Sequence, residues 1–338
     1  MYPSKQKPYA GIFVKNQYDE LKNMMSGKDS IDIFYLERKF TSKLGSVLKY
    51  LKAFAAFLKF LPRRYDVVHL HFFYPLIYFV WIYKKLHPKT KVVVTFHGKD
   101  ITVNVNDGNK NRLRKVAKII DFTIPVGKTL ANLVNTKLNL EVGKILPVGV
   151  NHNVFYHEKK QPKEFDFIFV GSFIHRKGID VVIKAIKNLP SKEYSFCFCG
   201  SGEYLGEIKE LSKSYNITIR QNQTQPQLRG LYNKSRFFIL MSRNEGFPTA
   251  TIEAMYCGLP VITSDIPQFK EQVLEGINGF TVPVDNDNEL LKCLISTMDM
   301  DENEYLKLQK GALSSFKELS LSEVCSNLYN IYQNLTKS

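Results

Sequence analysis

Glu245 and Glu253 stand eight residues apart in the stretch Asn244 to Ile266, NEGFPTATIEAMYCGLPVITSDI. Gly246, Phe247 and Pro248 follow the first glutamate. A helix-like run, Thr249 to Cys257, carries the second about two turns in. A Gly258-Leu259-Pro260 break and the apolar Val261-Ile262-Thr263 come next, which predicts loop, helix N-terminus, helix, turn and strand. The first-turn amides of such a helix are unpaired donors with partial positive charge, so the backbone from Phe247 through Pro248 and Thr249 to Ala250 suits a phosphate. Carboxylates that do not touch phosphate would accept hydrogen bonds from sugar hydroxyls. Two glutamates without that context would read as ordinary solvated charges.

Cations with the matching chemistry occur earlier. Strand-like Asp166 to Val170 runs into GSFIHRKGID and then a helix-like Ile179 to Leu189. A basic pair between strand and helix is a phosphate-site arrangement, with Lys177 supplying a point charge and Arg176 a planar fork. A third polar cluster, His97-Gly98-Lys99-Asp100, closes the apolar run Lys91 to Phe96. The carboxyl end of a parallel strand is where α/β sheets bind ligands. Gly11, before the helical spacing of Phe13 to Met24, would let the backbone approach a ligand closely.

The elements that hold these groups read as an α/β chain long enough for two domains: 338 residues, 44% hydrophobic and 13% aromatic. Residues 1–150 carry 26 Lys or Arg against 10 Asp or Glu, a balance of +16, and residues 151–338 carry 21 against 22. An anionic partner is therefore expected of the N-terminal half alone: a membrane surface, a phosphorylated acceptor or, less favoured, nucleic acid. Ile31 to Tyr35, Asp66 to Phe72 and Asp121 to Val126 read as further strands, followed by apolar Lys144 to Val150. Asn151 to Lys163 lacks apolar periodicity and reads as a linker. In Ser46 to Leu61, Val47, Leu51, Phe54 and Leu58 share one helical face and lysines cluster opposite. That pattern fits burial on a sheet and also contact with an anionic lipid surface.

Five scattered cysteines without CxxC spacing point to reduced cytoplasmic thiols, and no signal-peptide pattern opens the chain. The most apolar stretch, Phe72 to Tyr83, is too short to span a bilayer. His69, His71, His87, His152 and His157 read as structural. Gly200-Ser201-Gly202-Glu203 is a strand-to-helix turn rather than a dinucleotide fingerprint, because the third glycine comes at Gly206.

The combination EGFP, Glu253 and GLPVI closely resembles the E-x7-E segment of GT4 retaining glycosyltransferases of the bacterial polysaccharide-assembly type. HG-x-D at His97 to Asp100, Lys177-Gly178 and YPS…GIFV near the start are similar to other segments of that family. Ser172 stands where many members have Arg. The resemblance implies a GT-B fold: two Rossmann-like domains facing across a cleft, residues 1–152 on the acceptor side and 153–320 on the nucleotide-sugar side. A C-terminal helix, 321–338, would cross back to the first domain. The family's first strand would precede YPS, where this sequence has only Met1, so the first sheet is expected to lack it.

The resemblance also implies a hexosyltransferase-type enzyme that is metal-independent and needs no cofactor. It would move a sugar from a nucleotide-diphosphate donor to a saccharide or lipid-linked acceptor at the inner face of the cell membrane. Glu245, His97 and Lys177 would be catalytic, with His97 completing the sugar pocket. Gly11, Arg176, Lys177, Phe247, Pro248, Thr249, Ala250 and Glu253 would bind the donor, and no residue would hold a metal. Two other readings stay open: a non-catalytic family member that only binds, and a basic nucleic-acid binder. The second has no zinc, helix-turn-helix or RNP-like pattern behind it.

Overall fold

The computed structural model describes residues 11–25, 27, 29–35 and 51–337. The chain divides into two compact units, Met1–Gly149 with Leu321–Ser338, and Val150–Ser320. Both are built on parallel sheets, as runs such as KVVVTF and FDFIFV require: strands buried on both faces lose the apolar–polar alternation.

In the first unit β1 (Val67–His71), β2 (Lys91–Phe96) and β3 (Phe122–Pro125) form a parallel sheet in that order. The helices Ile12–Met25 and Leu321–Lys337 pack with this sheet, joining Leu21, Met25, Val324, Cys325 and Leu328 to Val93 and Ile124. Two expectations fail here. Ile31 to Tyr35 is not a strand: no ladder pairs it among the described residues. Side chains hold it instead, Asp32 accepting from Arg63 at 2.7 Å and Tyr65 at 2.6 Å, and Phe34 lying edge-on to Phe57 at 5.4 Å. Apolar Lys144 to Val150 runs beside β3 through single bonds such as Leu146 N–H to Pro125 O (3.1 Å), without forming a strand.

The basic helix also departs from its expected face. Residues 46–50 lie outside the described part, while 51–57 are helical and Leu58–Phe60 continue as a 3-10 turn. The buried face is Ala53 and Phe57, the latter stacked on Phe79 at 5.4 Å, whereas Leu51 and Leu58 are 60% and 45% exposed. The aromatic cluster of the neighbouring helix Ile77–Leu86 takes the stiffer, larger ring, which turns the leucines outward beside exposed Lys52 and Lys59.

The second unit holds a six-stranded parallel sheet in the order β6-β5-β4-β7-β8-β9. These are β4 (Phe165–Val170), β5 (Phe196–Cys199), β6 (Ile217–Arg220), β7 (Ser235–Leu240), β8 (Val261–Ser264) and β9 (Gly279–Val282). Its middle is aromatic: Phe167, Phe196 and Phe237 are buried on β4, β5 and β7, with Phe167 stacked on Phe196 at 5.3 Å. No described helix is long and apolar enough to cross a membrane.

Candidate active site

The strand order of the second sheet turns around between β4 and β7. From β4 the chain proceeds to β5 on one side, and from β7 to β8 on the other. Loops leaving two such strands diverge, and the crevice between them is where α/β sheets take ligands. The loop after β4 carries Arg176 and Lys177, and the loop after β7 carries Ser242 to Pro248.

A glycine brings the loops together. Gly178 lies in the left-handed region (φ 65°), ending the 3-10 turn His175–Lys177 and starting the helix Ile179–Lys187. A Cβ there would sit 1.8 Å from Met241 O, so the β4 loop lies directly on the backbone that leaves β7. Arg243 N–H donates to Arg176 O at 2.9 Å, and the Arg243 guanidinium grips Asp180 with two bonds of 2.8 and 2.7 Å. It also meets Asp285 and His175 O, and these carboxylates push its pKa further up. Planar two-point pairing of this kind fixes orientation as well as distance.

Glu245, 7% exposed, is the centre of the cluster. Its Oε1 accepts from Lys177 Nζ at 2.5 Å and Ser242 Oγ at 2.6 Å, and its Oε2 from an Arg176 terminal nitrogen at 3.2 Å. Burial alone would raise its pKa, but the charges of Lys177 and then Arg176 outweigh that and hold it below the usual carboxylate range. Glu245 is therefore ionised at neutral pH. The helix Thr249–Tyr256 begins at Pro248, and no side chain caps its first turn. Its amides remain donors of partial positive charge beside two cations.

Glu253 lies one turn into this helix, closer to its start than the two turns expected from sequence. It is half-buried and has no cation partner among the described residues; Tyr232 OH lies 3.4 Å from Oε2. Burial raises its pKa from 4.5 to about 7, against the hydrogen bond from Tyr232. The folded state thus keeps a proton that the unfolded chain releases, and stability falls as pH rises from 4.5 towards 7. Glu253→Gln removes that penalty. Thermal melts should show the variant more stable than the parent at pH 8, by at most about 3 kcal/mol, with the difference gone in acid.

In the first unit His97 follows β2 and faces aromatic neighbours, with ring centroids 4.6 Å from Phe72 and 5.0 Å from Phe13. His97 Nε2 is 3.0 Å from His71 Nδ1, and His69 reaches Thr95 Oγ1 at 2.7 Å and Tyr332 OH. Burial pushes all three imidazoles down, His71 to about 4, so they are neutral at pH 7. Gly11, in the left-handed region (φ 73°), starts the helix that carries Phe13.

Asp100 is 1% exposed. It accepts the backbone N–H groups of Phe73, His97 and Gly98 at 3.0, 3.1 and 2.8 Å, tying the ends of β1 and β2 together. Burial raises its pKa to about 6 against those bonds. Asp100→Ala orphans three buried donors and should cost about 3 kcal/mol in a urea titration at pH 7.

The sequence reading did not single out Ser242, Arg243, Asp180 or Tyr232. Arg243 and Ser242 adjoin the glutamate motif and could have been suspected, but the Arg243–Asp180 pair spans 63 residues and only the sheet brings it together. In contrast, the structure brings Arg176 and Lys177 onto Glu245, in the same unit as the helix start at Phe247 to Ala250. His97 and Gly11 belong to the first unit.

Two parallel α/β units, one with the loops of a switch point converging on cations and a carboxylate, have the GT-B fold of solved glycosyltransferases. Residues 17–154 match the family described as Glycosyltransferase Family 4, and residues 153–313 match Glycosyl transferases group 1. The chain belongs to these GT4-type glycosyltransferases. It is 24% identical over 358 residues to an uncharacterized glycosyltransferase of Methanocaldococcus jannaschii, covering 99% of this chain and 98% of that one. It is also 27% identical over 239 residues to the GDP-mannose:cellobiosyl-diphosphopolyprenol alpha-mannosyltransferase of Xanthomonas oryzae, covering 65% and 61% of the two chains. Among solved structures, Anabaena Alr3699/HepE in complex with UDP and glucose is similar in fold, with a TM-score of 0.75, 14% identity and 98% of each chain covered.

Proposed function

We propose that this glycosyltransferase moves a sugar from a nucleoside-diphosphate donor to a saccharide or lipid-linked saccharide, retaining the anomeric configuration and needing no metal. The observation that carries the reading is the convergence of Lys177, Arg176 and Glu245 beside the uncapped start of the helix Thr249–Tyr256. In such a transfer the bond from the anomeric carbon to the diphosphate breaks, so negative charge grows on the phosphates and positive charge on the sugar ring. Lys177, Arg176 and the amides of Phe247 to Ala250 take the first. Ionised Glu245 favours the second and accepts from sugar hydroxyls, and Glu253 accepts from the ribose. His97 is assigned a hydrogen bond to the sugar. Charge that a divalent ion supplies elsewhere comes here from side chains, so activity should survive EDTA.

The Xanthomonas relative, named for a diphosphopolyprenol acceptor, supports a lipid-linked acceptor, as does HepE, solved with UDP and glucose, for a nucleotide-sugar donor. The +16 balance of residues 1–150 and the outward Leu51 and Leu58 beside Lys52 and Lys59 fit peripheral contact with an anionic membrane from the cytoplasmic side, in cell-surface polysaccharide synthesis. Vesicle flotation checks this part: equal binding to anionic and neutral vesicles at low salt removes it. The donor site itself is tested by thermal shift with UDP, GDP, ADP and CDP. One nucleotide should stabilise the parent but not Lys177→Ala; no shift with any of them overturns the reading.

A further inference from the structure

The cations offered to a diphosphate are already engaged. Lys177, with a side chain only 16% exposed, ends on Glu245 Oε1, and Arg176 divides one terminal nitrogen between Glu245 Oε2 at 3.2 Å and Asn244 O at 2.6 Å. Arg176 Nε is buried without a hydrogen-bond partner. Arg243, the other nearby cation, is committed to Asp180 and Asp285. Glu245 cannot swing into water, because its side chain is 8% exposed and Ser242 Oγ holds Oε1 at 2.6 Å. Any phosphate that reaches Lys177 must therefore share it with a fixed carboxylate a few ångströms away, in surroundings where charges are poorly screened.

We propose that Glu245 is an internal counter-anion, which competes with the diphosphate for Lys177 and Arg176 and so biases the site against retaining the nucleoside-diphosphate product. This rests on the donor-site reading above. The bias has a direction. A sugar nucleotide carries its diphosphate as a diester at both ends, whereas the free product gains a terminal phosphate ionisation with a pKa of about 6. The product is thus the more anionic species at pH 7 and is repelled more strongly by a fixed carboxylate. The donor also gains hydroxyl contacts with Glu245 that the product lacks. One residue then favours binding of the donor and departure of the product.

Isothermal titration of the full chain with UDP, GDP, ADP and CDP tests this on the parent, Glu245→Gln, Lys177→Ala and the double variant. Glu245→Gln should bind the preferred diphosphate about tenfold tighter than the parent. Most of that gain should vanish when Lys177→Ala is the background, because the competition acts through the cation. Glu245→Asp keeps the charge but draws it back from Lys177, and should give a smaller gain; it carries the test should the glutamine variant not fold. Unchanged or weaker binding by Glu245→Gln and Glu245→Asp, with Lys177→Ala still weakening the parent, overturns the counter-anion and leaves the donor site standing. Failure of every protein to bind any of the four diphosphates overturns both.

Discussion

Lys177→Ala is expected to lower kcat/KM for glycosyl transfer by about 10³-fold. In the proposed donor site the ammonium meets charge leaving with the diphosphate, and with its side chain 16% exposed its field is little screened by water. The same change weakens the fold. Glu245 keeps Arg176 and Ser242 but loses its largest favourable partner, and removing one member of a buried pair should cost about 3 kcal/mol.

The pH dependence gives the sign. In the parent, Glu245's folded pKa lies below its unfolded 4.5, so its pairing contributes stability above pH 4.5 and loses it as pH falls through the folded value. The stability gap between parent and Lys177→Ala should therefore be widest near neutrality and narrow in acid. Lys177→Arg separates the two effects: it keeps the charge and most of the stability, but a planar fork cannot place one nitrogen where Nζ stands. Stopped assays with the donor found by thermal shift, together with melts from pH 4 to 8, check both parts. An alanine variant with parental turnover would remove Lys177 from the chemistry.

The second large effect is structural. Gly178→Ala adds a Cβ 1.8 Å from Met241 O and 2.5 Å from its carbonyl carbon, at a backbone φ of 65°. Neither neighbour is a side chain that can rotate away, and the left-handed conformation itself costs an L-residue about 1 kcal/mol. The loss should exceed about 4 kcal/mol, enough to unfold the second unit or to part the β4 loop from β7. Gly206→Ala and Gly230→Ala are the internal controls. Both lie in helices with nothing within 4 Å of the added carbon, and each should stabilise by about 0.5–1 kcal/mol. Calorimetry on the three variants decides the matter; a Gly178→Ala protein melting with the controls would show that the loop contact is dispensable.

Much of the site was legible because its chemistry is local. Phe247 to Glu253, the Arg176-Lys177-Gly178 run and the helix they precede are contiguous, and helix N-termini, capping and left-handed glycines follow from residue types a few positions apart. The parallel-strand runs were legible for the same reason: burial on both faces removes alternation and leaves unbroken apolar segments. The resemblance of the EGFP and GLPVI segments then carried the family, which the two family matches show.

Three features needed the tertiary structure. Which face of residues 51–60 is buried was decided by Phe57 finding Phe34, Phe79 and Tyr83, a choice among several apolar residues that helical spacing alone does not make. Whether Ile31 to Tyr35 becomes a strand depended on a free sheet edge, and side-chain contacts with residues 57–65 held it elsewhere. Asp100 had the composition of a ligand-binding acid, yet three backbone amides from two strand ends claimed its carboxylate. The same holds for the ion pairs at Glu245: the sequence determined that a carboxylate and two cations exist in phosphate- and sugar-like contexts. Only the meeting of β4 and β7 at the switch point, across about 70 residues, decided that they neutralise one another. Charges distant in sequence interact through space, and the fold sets that distance.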